Sequence, residues 1–283
     1  MIRTRFAPSP TGPLHLGHAY SALLAYTMAQ AVQGTFLLRI EDIDRSRSRP
    51  EWEARIYDDL AWLGVRWPLP VMRQSDRLDA YGAALDVLWD RGLLYACSCR
   101  RADIAAAVSA PQEGVRQFGP DGLVYPGTCR HRAPRTGPRP ALPLRLDIAL
   151  ATESLRIASF EETGIRTGQV PVLASDLIAG VGDVVLSRRD MGTSYHLSVV
   201  LDDAEQGITH VVRGADLFEA TQIHVVLQDL LDLPTPVYHH HRLIRDTDGK
   251  RLAKRDDARA IATYRAEGRS PADIKRMLGL DGQ

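Results

Sequence analysis

The sequence predicts an α/β fold, a parallel β-sheet with helices on both faces, interrupted by an insertion. Three observations carry that expectation. Segments with strand character alternate with segments whose apolar residues recur at helical spacing, up to about residue 100 and again from about residue 194. Between these stretches the rhythm is lost, and residues 100–142 are rich in Pro, Gly and Arg. The first strand passes into the first helix through "RFAPSPTGPLHLGH" (5–18), where Pro8, Pro10 and Pro13 fall within six residues. Proline fixes φ and lacks a backbone donor, so this stretch must be a stiffened loop.

The elements follow in order. "IRTRF" reads as a short strand and "LGHAYSALLAYTMAQAV" as an apolar helix. "GTFLLRIEDID" is a buried strand that ends in carboxylates. "PEWEARIYDDLAWLG" is a helix with Pro50 near its start and Gly64 as its stop. "RLDAYGAALDVLWDRG" is an amphipathic helix, and "LLYACSC" a strand leading to the cysteines. After the irregular block come the strand candidates "LRLDIA", "SLRIASF" and "GDVVLSRR". The alternation then resumes: helix "SYHLSVVLDDAEQG", strand "ITHVVRG", helix "LFEATQIHVVLQDLLD" and strand "VYHHHRLI". A charged loop, "RDTDGKRLAKRDD", and two short helices follow.

At 283 residues, 45% hydrophobic and 25% charged, the chain can bury a core large enough for two domains or one domain with an insertion. No apolar run approaches the ~20 residues that span a bilayer, and the first residues lack the apolar stretch of a signal peptide. The expected location is cytoplasmic, with no membrane partner. Net charge is zero, which removes whole-molecule steering toward nucleic acid. Locally the balance differs: eight arginines lie within 96–145 against Asp103, Glu113 and Asp121, and seven basic residues within 242–259 against four aspartates. These stretches are either phosphate-contacting faces or ordinary solvated surface.

Four constellations carry chemistry. His15 and His18 flank "LG" at a helix start, where unpaired N–H groups and the helix dipole favour a phosphate, and Gly17 leaves room for a flat ring against the backbone. Lys250 and Lys254 are two of only three lysines among 35 basic residues, which reads either as a mobile point charge wanted in that loop or as a solvated surface loop. Arg5, Glu41 and Arg213 end predicted strands, where open α/β sheets bind ligands, and with Tyr195 they suit an amino-acid substrate with an ammonium and carboxylates. Cys97, Cys99 and Cys129 are the only cysteines; their clustering reads as a metal site, with Tyr125 or His131 as a fourth ligand.

With these residues in view, "RFAPSPTGPLHLGH" resembles the signature of the glutamyl-tRNA synthetases, class I enzymes with a Rossmann catalytic domain. "HLGH" is similar to their HIGH motif and "RLAKR" to their KMSKS motif, and "LRIEDIDR", "YPGTCR" and "SYHLSVVLDDAEQGITHVVRGADL" look like further family blocks in order. Only about 25 residues follow the KMSKS-like loop, which resembles the truncated glutamyl-Q branch, without an anticodon-binding domain. That resemblance implies ATP-dependent, Mg²⁺-assisted activation of L-glutamate and its transfer to the queuosine of the tRNA(Asp) anticodon loop, by a monomer. It assigns Arg5, Ala7, Ser9, Glu41, Tyr195 and Arg213 to glutamate, with Arg5 on the side-chain carboxylate and Glu41 on the α-ammonium. It assigns His15, Gly17, His18 and Lys254 to ATP, with His15, His18 and Lys254 catalytic, and Cys97, Cys99, Tyr125 and Cys129 to one Zn²⁺. The implied organisation is 1–96 and 191–257 for the two Rossmann halves, 97–190 for the insertion and 258–283 for a helical tail. Ala253 stands where the family usually has serine, which implies slower activation.

Overall fold

The computed structural model describes residues 1–108, 118–132, 135–244 and 259–281, and within them the predicted α/β architecture is present. The first half runs β1 (Arg3–Phe6), α1 (Leu16–Gln30), β2 (Thr35–Ile40), α2 (Pro50–Trp62), β3 (Met72–Arg73), α3 (Leu78–Asp90) and β4 (Leu94–Ala96). A more irregular stretch carries α4 (Arg101–Val108), the hairpin β5 (Phe118–Gly119) and β6 (Gly122–Leu123), β7 (Leu144–Leu146) and α5 (Ile148–Glu153). It continues through β8 (Ser159–Glu162), β9 (Gly168–Pro171), the single turn α6 (Ala174–Asp176) and β10 (Val185–Ser187). Then come α7 (Tyr195–Glu205), β11 (His210–Gly214), α8 (Thr221–Leu230), β12 (Val237–His241), α9 (Ile261–Ala266) and α10 (Pro271–Leu278).

β1, β2 and β3 form a parallel sheet in that order. A second sheet has the order β11-β12-β8-β9, parallel except for β9. The two sheets meet at β1 and β11, where the Thr209 N–H donates to the Arg3 carbonyl (3.0 Å) and the Arg3 N–H to Thr209 Oγ1 (2.8 Å). β1 thus has β2 on one side and β11 on the other, and the connections leave in opposite directions. Such a switch point opens a crevice beyond the carboxyl ends of the strands, and the site lies there.

Local chemistry explains the placements. α2 begins with Pro50 in its first turn and Glu51 and Glu53 beside the positive end of its dipole. It ends before Gly64, whose φ of +84° is the left-handed geometry expected of a helix stop. Ser194 caps α7 by accepting the Leu197 N–H (3.4 Å), which sets Tyr195 as the first helical residue.

The segment 97–190 is divided in the structure. β8 pairs with β12 (Glu162 opposite Tyr238), so β8 and β9 extend the second parallel sheet, while β7 joins β4 and β10 in a separate antiparallel sheet. α9 and α10 bury Ile261, Ile274 and Leu278 in the core formed with α1, β1, β2 and α2. The Ile261 N–H donates to the Leu14 carbonyl (2.9 Å), and Ala260 pairs with His15, tying the helical tail to the proline-rich loop. Among the described residues no helix is long and apolar enough to cross a membrane.

Candidate active site

A cavity of about 370 Å³ opens at the switch point, lined by Arg5, Ala7, His15, Gly17, His18, Glu41, Tyr195 and Arg213. Eight of the residues expected to bind glutamate or ATP therefore face one space. Ser9 lines an adjoining cavity of about 420 Å³ that shares Phe6, Ala7, His18, Glu41 and Tyr195 with the first. Lys254 and the rest of the "RLAKR" motif lie outside the described residues, although the neighbouring Ile244 lines the first cavity and Ala260 pairs with His15.

The proline-rich loop is fixed to what surrounds it. The Pro8 carbonyl accepts the Glu41 N–H and the Pro10 carbonyl accepts the Arg49 N–H, both at 3.0 Å. His15 caps α1: its Nδ1 accepts the Gly17 N–H (3.1 Å), and His18 Nδ1 accepts the His15 N–H (3.2 Å). With both Nδ1 atoms accepting, a neutral ring carries its proton on Nε2, so each histidine can present a donor to a phosphate. The rings lie 3.8 Å apart. A Cβ on Gly17 would sit 3.0 Å from His15 Cε1, so the flat ring that glycine accommodates is the imidazole of His15.

Arg5, at the end of β1, is held by Asp203 through Nε–Oδ1 (3.0 Å) and Nη2–Oδ2 (3.2 Å). Arg39 shares that carboxylate (Nη1–Oδ1, 2.7 Å) and donates to Glu41 Oε1 (3.1 Å). Burial pushes the Glu41 carboxyl above its ordinary range, opposed by the charges of Arg39 and Arg5. An arriving ammonium would favour the carboxylate further. Burial likewise raises the Tyr195 hydroxyl, keeping it neutral and able to donate.

Arg213, at the end of β11, is buried in a different way. It donates from Nε to His240 Nε2 (3.0 Å), from Nη1 to His224 Nδ1 (2.9 Å) and from Nη2 to Thr221 Oγ1 (2.8 Å). None of these acceptors is a carboxylate.

The cysteines converge as expected. Their three sulfurs lie within 4.8 Å of one another, and Cys99 and Cys129 are 3.5 Å apart. The Tyr125 hydroxyl lies 3.4 Å from both Cys97 Sγ and Cys99 Sγ and accepts the Cys129 N–H (2.9 Å). Burial raises the Cys129 thiol, but hydrogen bonds from Tyr125, the Ser98 amide and the neighbouring thiols outweigh it, bringing it down to about 7. Thiolate character at a cluster of soft donors suits a metal such as zinc. His131 is exposed and does not belong to this cluster.

Several residues of the site carry no motif. Arg39 is wholly buried, and a charged residue inside the apolar run "TFLLRI" was its signal. Asp203 follows Asp202 on the buried side of α7, and Asp202 binds Arg77 (2.8 Å) and Tyr81 (2.9 Å). His196, His224, His240 and Glu162 gave no signal in spacing.

Fold, crevice and motif placement together define a class. The chain belongs to the class I tRNA synthetases of the E and Q group: residues 1–119 and 162–283 match the model of that catalytic domain. It is 64% identical over 282 residues to the glutamyl-Q tRNA(Asp) synthetase of Rhodobacter capsulatus, covering 98% of this chain and 99% of that one. It is 41% identical over 290 residues to the glutamyl-Q tRNA(Asp) synthetase of Symbiobacterium thermophilum, covering 97% and 84%. Among solved structures, a glutamate tRNA ligase from Elizabethkingia meningosepticum, crystallised with its amino acid, superposes with a TM-score of 0.75 at 29% identity. The match covers 98% of this chain but 60% of that ligase, so the chain spans about three fifths of its length.

Proposed function

We propose that this protein activates L-glutamate with ATP and transfers it to queuosine in the anticodon loop of tRNA(Asp). The observation that carries the reading is one cavity lined by a histidine pair at a helix N-terminus, a buried carboxylate and two buried arginines. The acceptor in this reading is supported by the names of near-full-length relatives, glutamyl-Q tRNA(Asp) synthetase.

In this reading Glu41 holds the α-ammonium, and Arg5 and Arg213 hold carboxylate charge with the Tyr195 hydroxyl between them. Uncharged glutamine would leave a buried guanidinium without its anion, which disfavours it. ATP places its phosphates against the N-terminus of α1 and the Nε2–H groups of His15 and His18, with Lys254 arriving from the neighbouring loop. Mg²⁺ arriving with ATP would supply charge neutralisation at the pyrophosphate. The glutamate carboxylate oxygen attacks the α-phosphorus in line, the bond to the bridging oxygen breaks, and pyrophosphate leaves with its electron pair. A hydroxyl of the RNA then attacks the acyl carbon and AMP departs. The protein needs no nucleophile of its own: positioning and fixed charge carry the catalysis. Cys97, Cys99, Cys129 and Tyr125 would hold zinc, which cross-links the segment between β4 and β7.

The test uses purified protein, ATP and labelled glutamate with three RNAs: tRNA(Asp) containing queuosine, tRNA(Asp) lacking it, and tRNA(Glu). Label confined to the first is expected. Label on tRNA(Glu) would overturn the assigned acceptor, and absence of label on all three would overturn the transfer reaction.

A further inference from the structure

Arg5 and Arg39 have their charge met by Asp203, whereas Arg213 donates to two imidazoles and a hydroxyl. Each imidazole is backed by a further group. His240 Nδ1 lies 2.6 Å from Glu162 Oε2, and both residues are fully buried. His224 Nε2 lies 3.1 Å from His196 Nδ1, and His196 Nε2 lies 3.5 Å from Asp121 Oδ1.

The directions of these bonds are forced. A guanidinium only donates, so His240 Nε2 and His224 Nδ1 must accept and carry no proton. The proton of His240 is then on Nδ1 and goes to Glu162, and that of His224 is on Nε2 and goes to His196. Both rings are therefore neutral. Burial, followed by the Arg213 charge, lowers His240 to about 4 and pushes His224 well below its ordinary range.

We propose that Glu162–His240 and His196–His224 are positioning residues that clamp Arg213 through neutral acceptors, so that its full positive charge is reserved for the substrate carboxylate. A carboxylate in direct contact would hold the guanidinium as firmly but would offset its charge, as Asp203, shared with Arg39, does in part for Arg5. An imidazole whose far nitrogen donates onward supplies the geometry without the neutralisation. The substrate in this proposal rests on the glutamate-activation reading.

Glu162 makes the proposal testable by one atom. Its Oε1 accepts two backbone donors, the Gly164 N–H (2.7 Å) and the His240 N–H (3.0 Å), and Oε2 alone faces the ring. In Glu162→Gln the amide oxygen must stay with the two N–H groups, which turns the NH₂ toward His240 Nδ1. That nitrogen then has to accept, the ring proton moves to Nε2, and Nε2–H meets the Arg213 Nε–H donor to donor.

The experiment combines glutamate-dependent ATP–pyrophosphate exchange with ¹⁵N NMR of histidine-labelled protein, in which His240→Gln identifies the His240 signals. The expected result for Glu162→Gln is inversion of the His240 tautomer and a rise in the KM for glutamate of about 10- to 100-fold, the range for a charged hydrogen bond lost at a buried site, with a smaller change in kcat and in the KM for ATP. His240→Gln, whose amide oxygen reaches the Nε2 position, should keep a lower glutamate KM than His240→Leu. An unmoved proton, an inverted ring with glutamate KM within about twofold of the unmodified protein, or equal losses in the two His240 variants would each overturn the clamp. Absence of glutamate-dependent exchange in the unmodified protein would overturn the activation reading instead, separately from the proton placement that NMR reads directly.

Discussion

Replacing Asp203 by asparagine should show how much of the site is held by a single buried anion. Asp203 accepts three charge-assisted hydrogen bonds, from Arg5 Nε and Arg39 Nη1 to Oδ1 and from Arg5 Nη2 to Oδ2, at 3.0, 2.7 and 3.2 Å. The amide keeps one acceptor oxygen and turns an NH₂ toward Arg5 Nη2, so one bond is lost and the anion shared by the two guanidinium groups is removed. Breaking a buried ionic set by removing one partner costs about 3–5 kcal/mol. Arg39 keeps Glu41 at 3.1 Å and Asp202 at 3.8 Å, which favours the lower end, about 3 kcal/mol. With a urea m value near ~3 kcal/mol/M, the unfolding midpoint at pH 7 falls by about 1 M. The pH dependence adds a second check. Burial pushes the Asp203 carboxyl up, but Arg5 and Arg39 hold it below the ordinary range on balance. A carboxyl lowered in the folded state contributes stability that is fully present above its unfolded pKa, about 4, and is lost as pH falls through the folded value. The difference between Asp203→Asn and the unmodified protein should therefore shrink below about pH 4. A midpoint within about 0.3 M of the unmodified protein at pH 7, or a difference that persists undiminished in acid, would refute the reasoning.

Two further outcomes follow from the geometry. Gly17→Ala places a Cβ 3.0 Å from His15 Cε1 and displaces that ring from its cap, so kcat should fall about 10-fold, less than the 10²-fold typical of a 1 Å misplacement, while the KM for glutamate changes little; unchanged pyrophosphate exchange would sink the role of His15. Cys129→Ala, or a chelator, should remove one metal ion per chain by mass spectrometry and lower Tm by at least ~5 °C, equivalent to about 2 kcal/mol; a metal content that does not change would exclude the cysteine cluster as its holder.

The elements that carry motifs were legible because their signals are local. Three prolines and a helix start identify the loop before α1, and strand-ending charges bring Arg5, Glu41 and Arg213 to the crevice. What escaped depends on contacts between distant residues. β8 joins the second sheet through β12, across 76 positions from Glu162 to Tyr238, and no local pattern encodes such a pairing. β3 is two residues long and α4 lies in a stretch of weak periodicity. The run "VYHHH" reads as a polar strand, yet His240 is fully buried because its ring is satisfied on both sides by Glu162 and Arg213. Partners of that kind turn an apparently exposed residue type into a core one, and they exist only after the chain has folded.

The seam between β1 and β11 also bears on how the protein is made. Arg3 and Thr209 are 206 residues apart, yet they exchange hydrogen bonds at the amino ends of β1 and β11, on the seam whose carboxyl ends open into the crevice. At ribosomal speeds of about 5–20 residues per second, β1 waits roughly 10–40 s for that neighbour, with one strand edge exposed. During the wait the histidine pair already sits on the nascent chain, but Arg213 has not been synthesised. An incomplete polypeptide therefore cannot assemble both sides of the crevice, and ATP-consuming chemistry begins only after the slow, non-local closure that high contact order imposes.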